Sequence, residues 1–145
     1  MEALYKLSTP GSSLDADGVH VISVDGTSFK RYLELAKLLG IKVAVIRDND
    51  RDHATNCVAN YAGHVSPSIQ VFADPDNARH TFEVCMYQDN KATCETLFAV
   101  GRKSLSVEDY MLKNKTDAAF QLLERKGVAL TAPGYIQQAV AWIRA

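Results

Sequence analysis

The chain has 145 residues, within the roughly 100–200 typical of one domain. Apolar residues make up 47% and charged residues 23%, enough to bury a core and to exclude wholesale disorder. Sixteen Lys/Arg against seventeen Asp/Glu leave a net charge of −1 and a pI of about 6.4, so no positive field covers the whole molecule, and any contact with nucleic acid depends on a local patch, a metal ion or a partner.

Met1 to Leu7 has helical composition but is too short to be stable alone, so it is expected to survive only by docking. Ser8-Thr9-Pro10-Gly11-Ser12-Ser13 reads as a linker. Val19 to Val24 is β-branched and closed by Asp25-Gly26, which predicts a strand and a turn. Phe29, Tyr32, Leu33, Ala36 and Leu39 recur at helical spacing, with Gly40 at the C-cap position. Lys42 to Ile46 predicts a second strand, His53 to Tyr61 a helix, and Ser68 to Phe72 a third strand. Strand, helix and strand in succession read as a βαβ unit and hence a parallel sheet. Beyond the Asp74-Pro75-Asp76-Asn77 turn, segments 82–88, 92–101, 106–126 and 135–144 lean helical, punctuated by Gly127 and Pro133-Gly134. The expectation is α/β: one domain over 1–145, with a helix and linker at 1–17, a βαβ core at 18–73 and a helical part at 74–145.

Apolar runs such as Val43 to Ile46 fall far short of the roughly 20 residues of a membrane helix, and no cationic start with an apolar block marks a signal peptide. The three cysteines, Cys57, Cys85 and Cys94, are odd in number and lack CxxC spacing, which favours a reducing, cytoplasmic setting over a disulfide framework.

Asp48-Asn49-Asp50 is the most informative triplet, because it follows a strand at the carboxyl edge where open α/β sheets bind ligands. In an extended segment the carboxylates at i and i+2 face one spot, and together they suit a hard cation such as Mg²⁺, Mn²⁺ or Ca²⁺. A solvated acidic turn is the competing reading, since Asp and Asn favour turns. Asp25 ends the first predicted strand and reads equally as a turn or cap residue, and Glu83 has no local feature that selects it. His53 and Cys57 are spaced i, i+4, half of a zinc set with no second pair to complete it. No GxSxG elbow, GxGxxG fingerprint or Walker loop occurs. Arg102, Lys103, Lys113 and Lys115 form the main basic concentration, of interest only beside an acidic site, where a lysine steadies a transferring phosphate.

Val19-His20-Val21-Ile22-Ser23-Val24-Asp25-Gly26 followed by a helix, a strand and Asp48-Asn49-Asp50 resembles the Toprim domain of the OLD (overcoming lysogenisation defect) nucleases. Thr81-Phe82-Glu83, Asn114-Lys115-Thr116-Asp117-Ala118-Ala119 and Pro133 to Trp142 resemble further segments of that family. The resemblance spans about Gly18 to Arg144 and implies a Toprim-like, Rossmann-type small parallel sheet flanked by helices, with a helical C-terminal part. It implies metal ligation by Asp48, Asp50 and Glu83, completed by Asp25 and Glu2, with one or two Mg²⁺ or Mn²⁺ ions and Lys115 at the scissile phosphate. Glu83 would then serve catalysis as well as the metal. Glu2-Ala3-Leu4 is similar to a second glutamate position of the family, and a first strand ending in Glu-Gly is expected before Met1, making this chain a fragment or a product missing one edge of its site. DNA is the implied partner, together with an ATPase domain or protein and self-association; no membrane is implied. A metal-dependent DNA endonuclease is thus the leading reading, against a non-catalytic Toprim-like interaction module and an α/β domain binding a small phosphorylated ligand.

Overall fold

The computed structural model describes residues 1–24, 29–102, 104–124 and 129–145. The predicted turn at Asp25-Gly26, together with Lys103 and Gly127, lies outside the described residues. The elements run α1 (Glu2–Ser8), α2 (Phe29–Leu39), β1 (Val43–Ile46), β2 (Ile69–Phe72), α3 (Phe82–Asp89), α4 (Lys91–Leu97), α5 (Val107–Lys113), α6 (Lys115–Leu123) and α7 (Gly134–Arg144). Between the strands lie a π turn at Ala54–Val58 and a 3₁₀ turn at Ala59–Tyr61, where the sequence predicts one regular helix.

β1 and β2 pair in parallel, with Val43 opposite Ile69 and Ile46 opposite Phe72. Their alternation divides the core. Val43, Val45, Ile69 and Val71 pack with Leu33 and Ala36 of α2 and with Tyr61. Ile46 and Phe72 join the larger helical core built on Leu4, Tyr5, Met86, Phe98, Met111, Ala118, Leu122 and Ile136. The sheet is therefore covered on both faces, as parallel strands require. The fold is α/β, a small parallel sheet flanked by helices, as expected.

Gly40 closes α2 at φ +67°, with the Ile41 N–H reaching back to the Ala36 carbonyl, the bond of a Schellman cap. The short α1 is held by docking: Leu4 and Tyr5 are buried against the core. Tyr5 also donates its hydroxyl to Asp17, which receives Ser12 Oγ at 2.7 Å and pairs with Arg144 of α7 at 3.0 Å.

Two further sequence expectations differ from the structure. Val19 to Val24 forms no strand, and Val21 and Ile22 are exposed. β-branched composition favours a strand only where a neighbour supplies ladder hydrogen bonds, and the described sheet has two strands, neither of them here. The predicted helix over 106–126 is broken at Asn114, whose side-chain amide donates to the Tyr110 carbonyl at 2.8 Å while its backbone leaves helical geometry. That break makes Lys115 the first residue of a new helix.

Removing the α1 anchor with Leu4→Ala is expected to cost about 2–4 kcal/mol through lost burial and the cavity left behind. Leu38→Ala, at an 84% exposed position, is expected to change stability by less than about 0.5 kcal/mol. Urea unfolding midpoints compare the two; equal midpoints would show that α1 is not part of the core.

Candidate metal centre

Chain leaving β1 is pinned at once. Arg47 donates Nε to the Asp48 carbonyl at 2.9 Å, Nη1 to the Asn56 carbonyl and the Tyr61 hydroxyl, and Nη2 to Asp50 Oδ2 at 2.9 Å. Its guanidinium also lies over the Tyr61 ring. Asn49 is 1% exposed, and its amide donates to the Asp74 and Asp76 carbonyls at 2.8 and 2.9 Å. Asn49 Oδ1 accepts from the Arg51 N–H at 2.9 Å, so this one side chain staples the end of β1 to the loop that follows β2. That loop is fastened to α3 by Arg79, which pairs with Asp74 at 2.7 Å and takes Asp89 with Nη2 at 2.8 and 2.9 Å.

These ties bring the start of α3 to the end of β1. Thr81 caps the helix, and Asp48 Oδ1 accepts from the Phe82 N–H at 2.9 Å, placing a carboxylate at the positive end of α3. Glu83 follows in the first turn and is 8% exposed. Lys115, opening α6, extends its ammonium to 3.1 Å from Glu83 Oε2. The approach is an ion pair by distance without hydrogen-bond alignment, and Oε2 remains a buried oxygen with no hydrogen-bond partner.

Burial pushes the Asp48 carboxyl above the usual carboxylate range. The Phe82 N–H opposes that shift, Glu83 and Asp50 add to it by like charge, and Lys115 lowers it. Asp48, Glu83 and Lys115 therefore share one electrostatic neighbourhood, assembled from three separate segments. Tyr135, at the start of α7, lies in the same field: burial first, and then the nearby Cys85 and carboxylates including Asp48 and Glu83, push its phenol up.

Asp50 is placed differently from the expectation. Its backbone is left-handed, φ +52°, followed by Arg51 at φ +68°, so Asp48 and Asp50 do not share one side of an extended segment. Asp50 is exposed and turned to Arg47, contributing charge to Asp48 from the rim. Glu2 pairs with Lys6 at 2.9 Å and accepts from the Leu14 N–H. Asp25 lies outside the described residues. Cys57, Cys85 and Cys94 are free and buried, and burial raises Cys85 to about 12 and Cys94 to about 11, which leaves them neutral and poorly nucleophilic at pH 7. Asn49 and Arg79, which set the geometry, carry no ligand signature that sequence reasoning could have used.

Among the described residues, no group of three or more His, Cys, Asp or Glu side chains is drawn together as a metal cage. The donor set nevertheless fits a hard cation that keeps much of its water: Asp48 Oδ2 takes no hydrogen bond from a described residue, and Glu83 Oε2 is an orphaned buried oxygen. Mg²⁺ is commonly held by one or two carboxylates with waters in the other positions, and Asp48 and Glu83 supply two carboxylates in one electrostatic neighbourhood.

Asp48→Asn keeps the acceptor for the Phe82 N–H and removes a buried charge, so it is expected to stabilise the metal-free protein by roughly 1 kcal/mol, a few degrees in Tm. The sign follows from the raised pKa: the folded wild type takes up its proton before the unfolded chain does, so the wild type gains relative stability as pH falls through the folded pKa. The difference in melting temperature should be largest near pH 8 and close as pH falls toward 4. A constant or reversed difference across that range would show that Asp48 is not strained by its charge.

No curated protein and no solved structure matches the chain. Residues 1–50, ending at the Asp48-Asn49-Asp50 triplet, match the family model described as "Overcoming lysogenization defect protein-like, TOPRIM domain", the family that the sequence motifs resemble.

Proposed function

We propose that this chain is a divalent-metal-dependent DNA-nicking module of the OLD Toprim type. The observation that carries the reading is the convergence of Asp48, Glu83 and Lys115, two buried or half-buried carboxylates and a lysine, from the ends of β1, α3 and α6. The family match over residues 1–50 supports it, because it covers the strand and triplet that supply Asp48 and Asp50.

In this reading Asp48 and Glu83 would hold one Mg²⁺ or Mn²⁺, with Asp50 adding negative charge from the rim. When bound, such an ion neutralises charge on a phosphodiester and acidifies bound water. Asp48 stays fixed by the Phe82 N–H, so its second oxygen keeps one direction. Lys115 would meet a non-bridging phosphate oxygen, where its charge matters most as negative charge grows in the transition state. The near-neutral chain would depend on this local site, and not on a general basic surface, to engage DNA. Asp25 and Glu2 enter the proposal as further acidic groups brought up by the resemblance. No described contact joins Glu2 to Asp48.

A non-catalytic interaction module is the second reading, favoured by the lack of a three-ligand cluster among the described residues. Supercoiled plasmid with Mn²⁺ separates the two. The first reading expects slow nicking that falls to background in Glu83→Gln and by about a hundredfold in Lys115→Ala. Nicking indifferent to both substitutions would overturn it, and Mn²⁺ binding without any nicking would establish the module.

A further inference from the structure

We propose that Lys115 is a tethered stand-in for the cation: its ammonium balances Glu83 in the metal-free protein and has to withdraw before a divalent ion engages that carboxylate. The proposal rests on the reading of Asp48 and Glu83 as the metal centre and adds the regulation of that centre.

A carboxylate removed from water needs a cation or several hydrogen bonds. Glu83 is 8% exposed, its Oε2 has no hydrogen-bond partner, and the Lys115 ammonium stands 3.1 Å away. The lysine side chain is itself 51% exposed, so it reaches the pair from the solvent side and can leave by rotating about its own torsions. Its backbone does not have to follow, because Asn114 is fixed to the Tyr110 carbonyl. The ammonium and an incoming ion therefore compete for one oxygen. Exchange of a single for a double positive charge favours the ion, and the released ammonium is left beside the phosphate that the ion would carry. Arrival of the metal and availability of Lys115 become one event.

The measured affinity for the ion then includes the cost of separating the pair. Any nearby positive charge also weakens cation binding, but a remote charge is screened as the Debye length shrinks to about 3 Å in 1 M salt. A contact exchange persists there. Lys113 supplies the control: it is an exposed lysine on α5 that forms no ion pair with a described residue.

Calorimetric titration of the full chain with Mn²⁺, in ~0.1 M and ~1 M potassium chloride, tests this. Lys115→Met and Lys115→Gln are expected to bind about tenfold more tightly than wild type at both salt concentrations, and Lys113→Met within about twofold of wild type. Circular dichroism verifies that each variant is folded. Wild-type affinity in both Lys115 variants overturns the exchange while leaving the metal centre intact. A gain that disappears in high salt, or that Lys113→Met reproduces, also overturns it by assigning the effect to the general field. Absence of Mn²⁺ heat from every protein overturns the metal centre itself, and the exchange with it.

Discussion

The buried side chain of Asn49 is the fastening on which the rest of the site depends. A two-stranded sheet of four-residue strands offers little framework of its own. Asn49 spends its amide on the Asp74 and Asp76 carbonyls and its oxygen on the Arg51 N–H, tying the end of one strand to the loop after the other. Arg79 carries that tie to α3 through Asp74 and Asp89. Each bond contributes on the order of 1 kcal/mol, and an unpaired amide buried this deeply would cost more than that. Asp48 Oδ2 is thereby left without a hydrogen bond from a described residue, because the neighbouring Asn49 does the holding.

The site that results is electrostatically uneasy in the absence of a ligand. Two carboxylates are withdrawn from water, one of them with an oxygen that makes no aligned hydrogen bond among the described residues, and the Lys115 ammonium from a separate helix offsets them. Two successive left-handed residues, Asp50 and Arg51, add backbone strain at the same place. Such strain and incomplete pairing persist only where the surroundings over-determine them, and the hydrogen bonds of Arg47 and Asn49 supply that constraint here.

Periodicity made much of the fold readable. The apolar spacing of α2, Gly40 at its end and the two short apolar strands all follow from local pattern. Val19 to Val24 misled because strand propensity carries no information about whether a ladder partner exists. The break at Asn114 was hidden because asparagine is tolerated within helices, and no local pattern shows that its side chain captures the Tyr110 carbonyl. In the candidate site, Asp48 was legible from its place after a strand. Glu83 and Lys115 were reached only through resemblance, since their meaning lies in a tertiary contact. The same-side reading of Asp48 and Asp50 assumed extended backbone, and the chain turns left-handed at Asp50 instead.

The break at Asn114 also has a bearing on how the protein comes apart. Because it divides α5 from α6, the α6 segment can fray without unwinding α5, while β1 and α3 stay joined through Asn49 and Arg79. A sub-global opening of that kind would have to expose Ala118 and Leu122, which are buried in the helical core, and would separate Lys115 from Glu83 at a cost between terminal fraying and complete unfolding. A ligand that spans all three segments would close this route, and amide protons of α6 would then exchange only with the cooperative unit formed by β1 and α3.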